Sequence, residues 1–301
     1  MTRILLAGKS GQLGWELQKS LAPLGQIIAP GRECLDLARP DTLRHAIRKY
    51  MPDVIVNAAG YTTVDRAEAE PGLVHRINAV APGIIAEEAQ KIGALLVHYS
   101  TDYVYDGTKV SPYTEEDAPN PVNVYGQSKL DGERAILATG CAYLILRASW
   151  IYSSRRTNFV LTMLRLAQQK EELFVVEDQV GSPAWATSLA ASSAEILSRM
   201  PDRHGASGIY HLSAFGYTTR LEFAREIIAL ARKTAGPGYR WAQILPIANA
   251  NFPLPARRPL FAATSKFKIK QVFGVEMPTW QEQLSAFMKT HATTRLALQR
   301  L

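Results

Sequence analysis

The sequence predicts an α/β fold, a doubly wound parallel sheet carrying a smaller α+β unit after it. Three observations carry this. Short apolar runs alternate with amphipathic stretches from the first residues to Cys141–Arg147. The runs Val54–Val56 and Leu95–Val97 are continuously apolar, as strands buried on both faces of a parallel sheet are. A glycine triplet, Gly8, Gly11 and Gly14, lies between the first run and the first helical pattern.

Taken in order, Arg3–Ala7 is the first strand, and a helix runs from about Trp15 to Leu21. Strand, glycine turn and helix form the dinucleotide cradle of a Rossmann-like domain. Gly8 permits the tight turn, Gly11 lets the backbone approach a pyrophosphate, and Gly14 allows helix and strand to pack closely. The Gly-x-x-Gly-x-x-Gly spacing points to the short-chain dehydrogenase branch, although glycine placed for packing alone gives the same letters. The second strand, Gln26–Ala29, ends near Gly31 and Arg32. An arginine there accommodates a 2′-phosphate, whereas an acidic residue would hold the ribose, so NADPH is favoured over NADH, with Glu33 as the counter-argument. Asp41 and Thr42 are candidate caps for the amphipathic run Leu43 to Tyr50.

The next strand, Asp53 to Asn57, delivers Ala58, Ala59 and Gly60, whose small side chains let a ligand reach the backbone. A long helical pattern then runs through Asn78 to Lys91. The strand Ala94 to Ser100 ends in the hydroxyls of Ser100 and Thr101. Right-handed crossovers bring Gly8, Ala58 and Ser100 to one sheet edge.

Tyr125 and Lys129 stand at i and i+4 of a helix expected to end near Leu137, with Gly140 as its stop. A neighbouring cation stabilises a phenolate and brings its pKa of about 10 toward neutrality, which suits acid/base work on a carbonyl. With 12 tyrosines, the spacing alone is weak evidence, and a solvated helix pair would look the same. A second match, Tyr105 to Lys109, is a turn, because Asp106-Gly107 lies inside it and Pro112 follows. Context distinguishes the first match: the hydroxyls of Ser100 and Thr101 upstream and the glycine loop at the start.

Cys141–Arg147 is the following strand, and it delivers Trp150 to the same edge, either to cover a sugar or nicotinamide face or to fill the core. Beyond it the sequence predicts helices over 158–170, 186–197 and 220–233, a strand at 173–176, and a strand at 209–212 extending the main sheet. Gly216 to Thr219 reads as a helix cap. Phe252 to Pro259 is Pro-rich and basic, a loop over an anionic ligand or an irregular connection.

At 301 residues, two unequal units are expected: residues 1–150, completed by about 184–215, for the dinucleotide, and 151–183 with 216–301 for the substrate. The net charge of +7 comes from residues that are scattered apart from the C-terminal third and Arg155-Arg156, which disfavours a nucleic-acid stripe and fits anionic small molecules or a solvated surface. No apolar run approaches a membrane span, and no signal peptide is read at the start. Cys34 and Cys141 are far apart, so neither a disulfide framework nor a zinc site is expected, and a cytoplasmic location follows.

Seven stretches together resemble the dTDP-4-dehydrorhamnose reductases, an extended branch of the short-chain dehydrogenase/reductases, along nearly the whole chain. They are residues 8–17, 57–65, 100–107, 123–130, 147–150, 178–183 and 256–259. The resemblance implies NADPH-dependent reduction of the C4 keto group of dTDP-4-dehydro-L-rhamnose, the last step of dTDP-rhamnose biosynthesis. It implies Thr101, Tyr125 and Lys129 as the catalytic trio and Gly11, Gln12 and Leu13 at the pyrophosphate. Asp36 and Leu37 then lie near the adenosine, and Gly60, Tyr61, Thr62 and Tyr99 along the cofactor. Asp102 and Trp150 contact the sugar nucleotide, with Tyr103 and Arg258 beside them. Tyr61 stands where some relatives carry histidine. Glu16 is in place for the magnesium-bridged dimer of some relatives, but Ser188 stands where a second glutamate is needed, so no metal is expected and a monomer or weak homodimer is. Two other readings stay open: a reductase or epimerase of another nucleotide sugar, and a non-catalytic NADP-binding regulatory subunit.

Overall fold

The computed structural model describes residues 1–200, 205–235 and 240–292. Positions 201–204, 236–239 and 293–301 of the expected units lie outside the described residues. The central sheet contains β1 (Arg3–Ala7), β2 (Gln26–Ile28), β3 (Val54–Asn57), β4 (Leu95–Thr101), β5 (Tyr143–Ala148) and the strand Gly208–His211. All pairings are parallel, and the order runs Gly208–His211, β5, β4, β3, β1, β2. The chain winds from β1 outward to β2, then crosses back to β3. The crevice beyond the strand ends therefore opens where β1 meets β3.

Alternate strand residues feed opposite faces. Ile4, Leu6, Val56, Val97 and Leu144 pack with Leu13, Leu17, Leu189 and Ile196 on one side. Leu5, Ile55, Leu96 and Ile145 pack with Leu43, Ile47, Ile84 and Ile136 on the other. Both faces being covered explains why these strands read as unbroken apolar runs.

A second core gathers Tyr152, Val160, Leu164, Leu173, Phe223, Ile227, Leu284 and Phe287. It is laid against a parallel pair, Glu172–Val176 with Gln243–Ile247. The Gln243–Ile247 strand and the helices Phe267–Phe273 and Trp280–Ala292 are not foreseen by the sequence. Pro246 hides the strand, since proline reads as a break and is tolerated where its missing N–H needs no partner.

Two expectations are corrected. The helix expected from Leu43 starts at Pro40, with proline in its first turn, and the Thr42 hydroxyl donates to the carbonyls of Arg39 (2.7 Å) and Asp36 (3.2 Å). The long helical pattern through Asn78 is broken into Val64–Ala67, Pro71–His75, a π-helical turn at Arg76–Val80, and Ala81–Ile92. That turn aims Asn78 inward, where its Oδ1 accepts the Tyr61 N–H at 2.8 Å and its Nδ2 donates to the Tyr61 carbonyl at 3.0 Å. Two expected elements are found: the helix over 158–170 is Phe159–Gln169, with Asn158 accepting the Leu161 N–H, and the strand over 209–212 is Gly208–His211, which extends the sheet beside β5. Among the described residues, no helix is long and apolar enough to cross a membrane.

Candidate active site

The glycine loop closes the switch point. Gly8 has φ +90°, and a Cβ on it would lie 2.9 Å from the backbone of Ala58 and Ala59. A Cβ on Gly14 would sit 2.1 Å from the Gly8 carbonyl oxygen. Glycine is thus required at both places, by backbone approach and by conformation. The helix Gln12–Ser20 starts at Gly11 without a side-chain cap, leaving the first-turn N–H groups of Gln12 and Leu13 for an anion. Gln12 Oε1 accepts from Ser153 Oγ (3.0 Å) and Asn158 Nδ2 (3.1 Å), so Gln12 offers its backbone here while its side chain ties the loop to the second unit. Arg156 adds to this tie, donating to the Ser10 carbonyl at 2.9 Å. The cradle fits a dinucleotide pyrophosphate.

Beyond β2, the exposed Arg32 pairs with Asp36 at 3.3 Å, and Asp36 Oδ1 accepts the Ala38 N–H at 3.0 Å beside the buried Leu37. Ala58, Ala59 and Gly60 line the end of β3, and Thr62 is exposed on the same loop. The Tyr61 hydroxyl donates to Glu70 at 2.9 Å. Tyr99 turns its ring away, its hydroxyl donating to Ser193 Oγ at 2.5 Å, so it enters the site through its carbonyl.

Thr101 ends β4 and caps the short turn Asp102–Val104, accepting the Tyr103 N–H at 3.2 Å. Tyr125 rides on the helix Val124–Leu137, whose cap Asn123 accepts the Gly126 N–H at 2.7 Å. A Cβ on Gly126 would meet the Tyr103 carbonyl at 2.2 Å, so glycine there lets the helix seat against the turn. Tyr125 consequently packs edge-on to Tyr103, with ring centroids 5.9 Å apart, beside the turn that Thr101 caps, and the Thr101 hydroxyl itself donates to Asp102 Oδ1 at 3.2 Å.

The expected effect of Lys129 on this phenol is not what the structure contains. Burial pushes the Tyr125 phenol above its ordinary range, opposed by the Thr101 hydrogen bond and reinforced by Asp102 and Tyr103. The lysine nitrogen instead donates to the Tyr99 carbonyl at 2.6 Å and lies 3.1 Å from His98 Nε2. Burial lowers Lys129 to about 8, against the pull of Glu133.

Deeper in the crevice, Asp102 Oδ2 accepts from Ser149 Oγ at 2.7 Å. Burial raises its carboxyl to about 6, with Ser149, Thr101 and Arg220 opposing. Trp150, held at φ +39°, is half-buried. The Arg220 guanidinium stacks 3.6 Å from its ring, and a Cβ on Gly181 would strike the indole at 2.4 Å. Tyr103 and Asp102 act on the Arg220 guanidinium, opposing the lowering that its burial imposes. Lys266 donates to Ser182 Oγ (3.0 Å) and the Thr264 carbonyl (2.7 Å), and burial lowers it to about 7, against Asp102 and Glu115. Arg258 donates to Asp65 at 2.8 Å and to the Ala256 carbonyl at 2.9 Å, strapping the Pro-rich loop onto the first unit.

Arg220 and Lys266 join the site without being predicted. Arg220 opens a helix after the Thr218-Thr219 pair, and no periodicity distinguishes an arginine facing a crevice from one facing water. The result is Thr101 and the Tyr125 ring at the strand mouth, a cation-lined recess beyond them, and an anion cradle on the other side. Such a crevice can protonate a carbonyl oxygen beside a bound dinucleotide.

The model of the RmlD substrate binding domain family matches residues 1–293. The chain is 44% identical to the dTDP-4-dehydrorhamnose reductase of Burkholderia thailandensis over 284 residues, covering 93% of this chain and 95% of that one. It is 41% identical to the dTDP-4-dehydrorhamnose reductase of Escherichia coli K12 over 295 residues, covering 97% and 98%. The crystal structure of dTDP-4-dehydrorhamnose reductase from Bacillus anthracis in complex with NADP superposes with a TM-score of 0.88 at 33% identity, covering 96% of this chain and 100% of that one.

Proposed function

The chain belongs to the RmlD substrate binding domain family, and from that premise we propose that it reduces the C4 keto group of dTDP-4-dehydro-L-rhamnose to give dTDP-L-rhamnose. The observation that carries the reading is the packing of the Tyr125 ring on Tyr103, in the turn that Thr101 caps at the end of β4, on the sheet edge that also carries the glycine cradle. NADPH bound in that cradle supplies the hydride.

Negative charge develops on the sugar's C4 oxygen as the carbonyl is reduced. Tyr125 gives that oxygen its phenolic proton in the transition state. Thr101, whose hydroxyl donates to Asp102 Oδ1 at 3.2 Å in the free protein, turns that one hydrogen to the same oxygen. Burial keeps Tyr125 protonated until that charge appears, so its proton is retained for the reaction. Lys129, one turn along the same helix, binds the nicotinamide ribose. Asp102, Tyr103 and Trp150 orient the sugar ring. Arg258 holds the covering loop through Asp65, and Arg220 lends its charge to the recess where the nucleotide diphosphate approaches.

The dinucleotide unit is residues 1–150 completed by 184–215, and the substrate unit is the remainder. Arg32 at the end of β2 supports NADPH over NADH. The exposed free thiol of Cys34 supports a reducing compartment, the cytoplasm, and a monomer or weak homodimer is the assembly we assign. NADPH oxidation with dTDP-4-dehydro-L-rhamnose, run beside other 4-keto nucleotide sugars and beside NADH, tests the assignment. The expected product is dTDP-L-rhamnose. Faster turnover of a different keto sugar would overturn the substrate.

A further inference from the structure

Asn57, His98 and Lys129 form a buried polar chain behind the site. Asn57 and His98 are register partners on β3 and β4, both with 0% exposure. Asn57 Nδ2 lies 3.1 Å from His98 Nδ1, and Lys129 Nζ lies 3.1 Å from His98 Nε2. Two nitrogens that carry hydrogen therefore face the two nitrogens of one imidazole. A neutral imidazole has one acceptor and one N–H, and a protonated one has two N–H groups.

The amide is fixed in this orientation because its Oδ1 accepts the Ala59 N–H at 3.2 Å. Nδ1 is then the acceptor and Nε2 carries the hydrogen. That hydrogen needs a lone pair, which Lys129 has only as the neutral amine. The same amine donates to the Tyr99 carbonyl at 2.6 Å, so every polar atom of the chain is satisfied.

We propose that His98 and Asn57 are positioning residues that couple the charge of Lys129 to the dinucleotide loop: protonating Lys129 inverts the His98 tautomer, turns the Asn57 amide and releases the Ala59 N–H. As an ammonium, Lys129 donates to Nε2. The imidazole hydrogen then resides on Nδ1, and Asn57 must present Oδ1 to it. The lysine gains one proton from solvent, and the imidazole keeps one, moved from Nε2 to Nδ1. Ala59 stands at the mouth of the cofactor crevice, so a dinucleotide that takes up its N–H draws Lys129 into the ammonium form. This last step rests on the reductase reading above.

The groups facing the lysine are few. On its own helix Glu133 is tied to Arg147 of β5 through Nη2–Oε2 at 2.6 Å, and to Ser100 of β4. Tyr125 lies one turn back on the same helix, the imidazole comes from β4, and Asn57 of β3 is uncharged. Across β5, His98 meets Ile145. Burial and the adjacent lysine keep His98 well below its ordinary pKa, hence neutral, while Lys129 titrates near 8.

The test is the 15N spectrum of histidine-labelled, cofactor-free protein between pH 6 and 10, with the His98 signals assigned by loss in His98→Gln. The Nε2–H tautomer is expected at high pH, and Nδ1–H on the acid side, with a midpoint near 8. In Asn57→Ala no amide opposes the switch, and the midpoint moves up by about half to one pH unit. A single tautomer throughout the range, or an unmoved midpoint in Asn57→Ala, overturns the proposal. Should Asn57→Ala not fold, saturating NADPH added to the unaltered protein at pH 9, with binding followed by nicotinamide fluorescence, must shift His98 toward Nδ1–H. Bound cofactor with no shift overturns it equally. None of these signals needs turnover, so a failed reductase assignment would appear separately, as absent NADPH oxidation with the keto sugar.

Discussion

Arg147 and Glu133 meet through two parallel hydrogen bonds, Nε–Oε1 at 3.0 Å and Nη2–Oε2 at 2.6 Å, with both side chains 2% exposed. Arg147 also donates to the Tyr105 hydroxyl at 2.7 Å, and Glu133 accepts from Ser100. The pair thus joins β5, the Tyr125 helix and the end of β4, the three elements that set Thr101 against Tyr125. Removing one partner strands a buried charge, which costs about 3–5 kcal/mol. Arg147→Ala is therefore expected to lose that much in urea unfolding, whereas the double change Arg147→Met with Glu133→Leu should recover most of it.

Gly14→Ala tests the cradle. Its Cβ would fall 2.1 Å from the Gly8 carbonyl oxygen, and backbone on both sides leaves little room to yield. NADPH affinity should drop by about tenfold or more, because the helix N-terminus is pushed off the loop that it serves. Fluorescence titration measures it; an unchanged Kd would show that the pyrophosphate sits elsewhere.

The parts of this site that local chemistry dictates were legible in the sequence. Gly8, Gly11 and Gly14 follow an apolar strand and precede a helix, the order of a phosphate-facing turn. Long-range pairings were not legible. The i,i+4 spacing puts Lys129 beside Tyr125 on the helix, but the nitrogen's partners come from β4, thirty residues away in sequence. Arg220 reaches Trp150 and Tyr103 through packing of the second unit, and Arg258 finds Asp65 across nearly two hundred residues. No local period encodes such contacts.

Asp102 gives the protein a pH-dependent stability. Its carboxyl is raised from 3.8 to about 6 by burial, so the folded chain holds this proton more tightly than the unfolded chain. The associated stability is complete below pH 4 or so, and is lost as pH rises through the interval up to about 6. Asp102→Asn should remove that loss, leaving the variant more stable than the parent by about 2–3 kcal/mol at pH 7.5, with little difference at pH 4. Thermal unfolding at the two pH values checks the sign. With Asp102 assigned to orient the sugar, the same variant is expected to raise KM.

The most direct measurement is kcat of Tyr125→Phe, set beside its Kd for NADPH. Loss of the phenolic hydroxyl removes the proton that the C4 oxygen requires and leaves the cradle untouched. The rate should fall by about 10² to 10³ or more while NADPH binds as before. A variant that turns over dTDP-4-dehydro-L-rhamnose at the parent rate would contradict the role of Tyr125, and with it the chemistry assigned to this crevice.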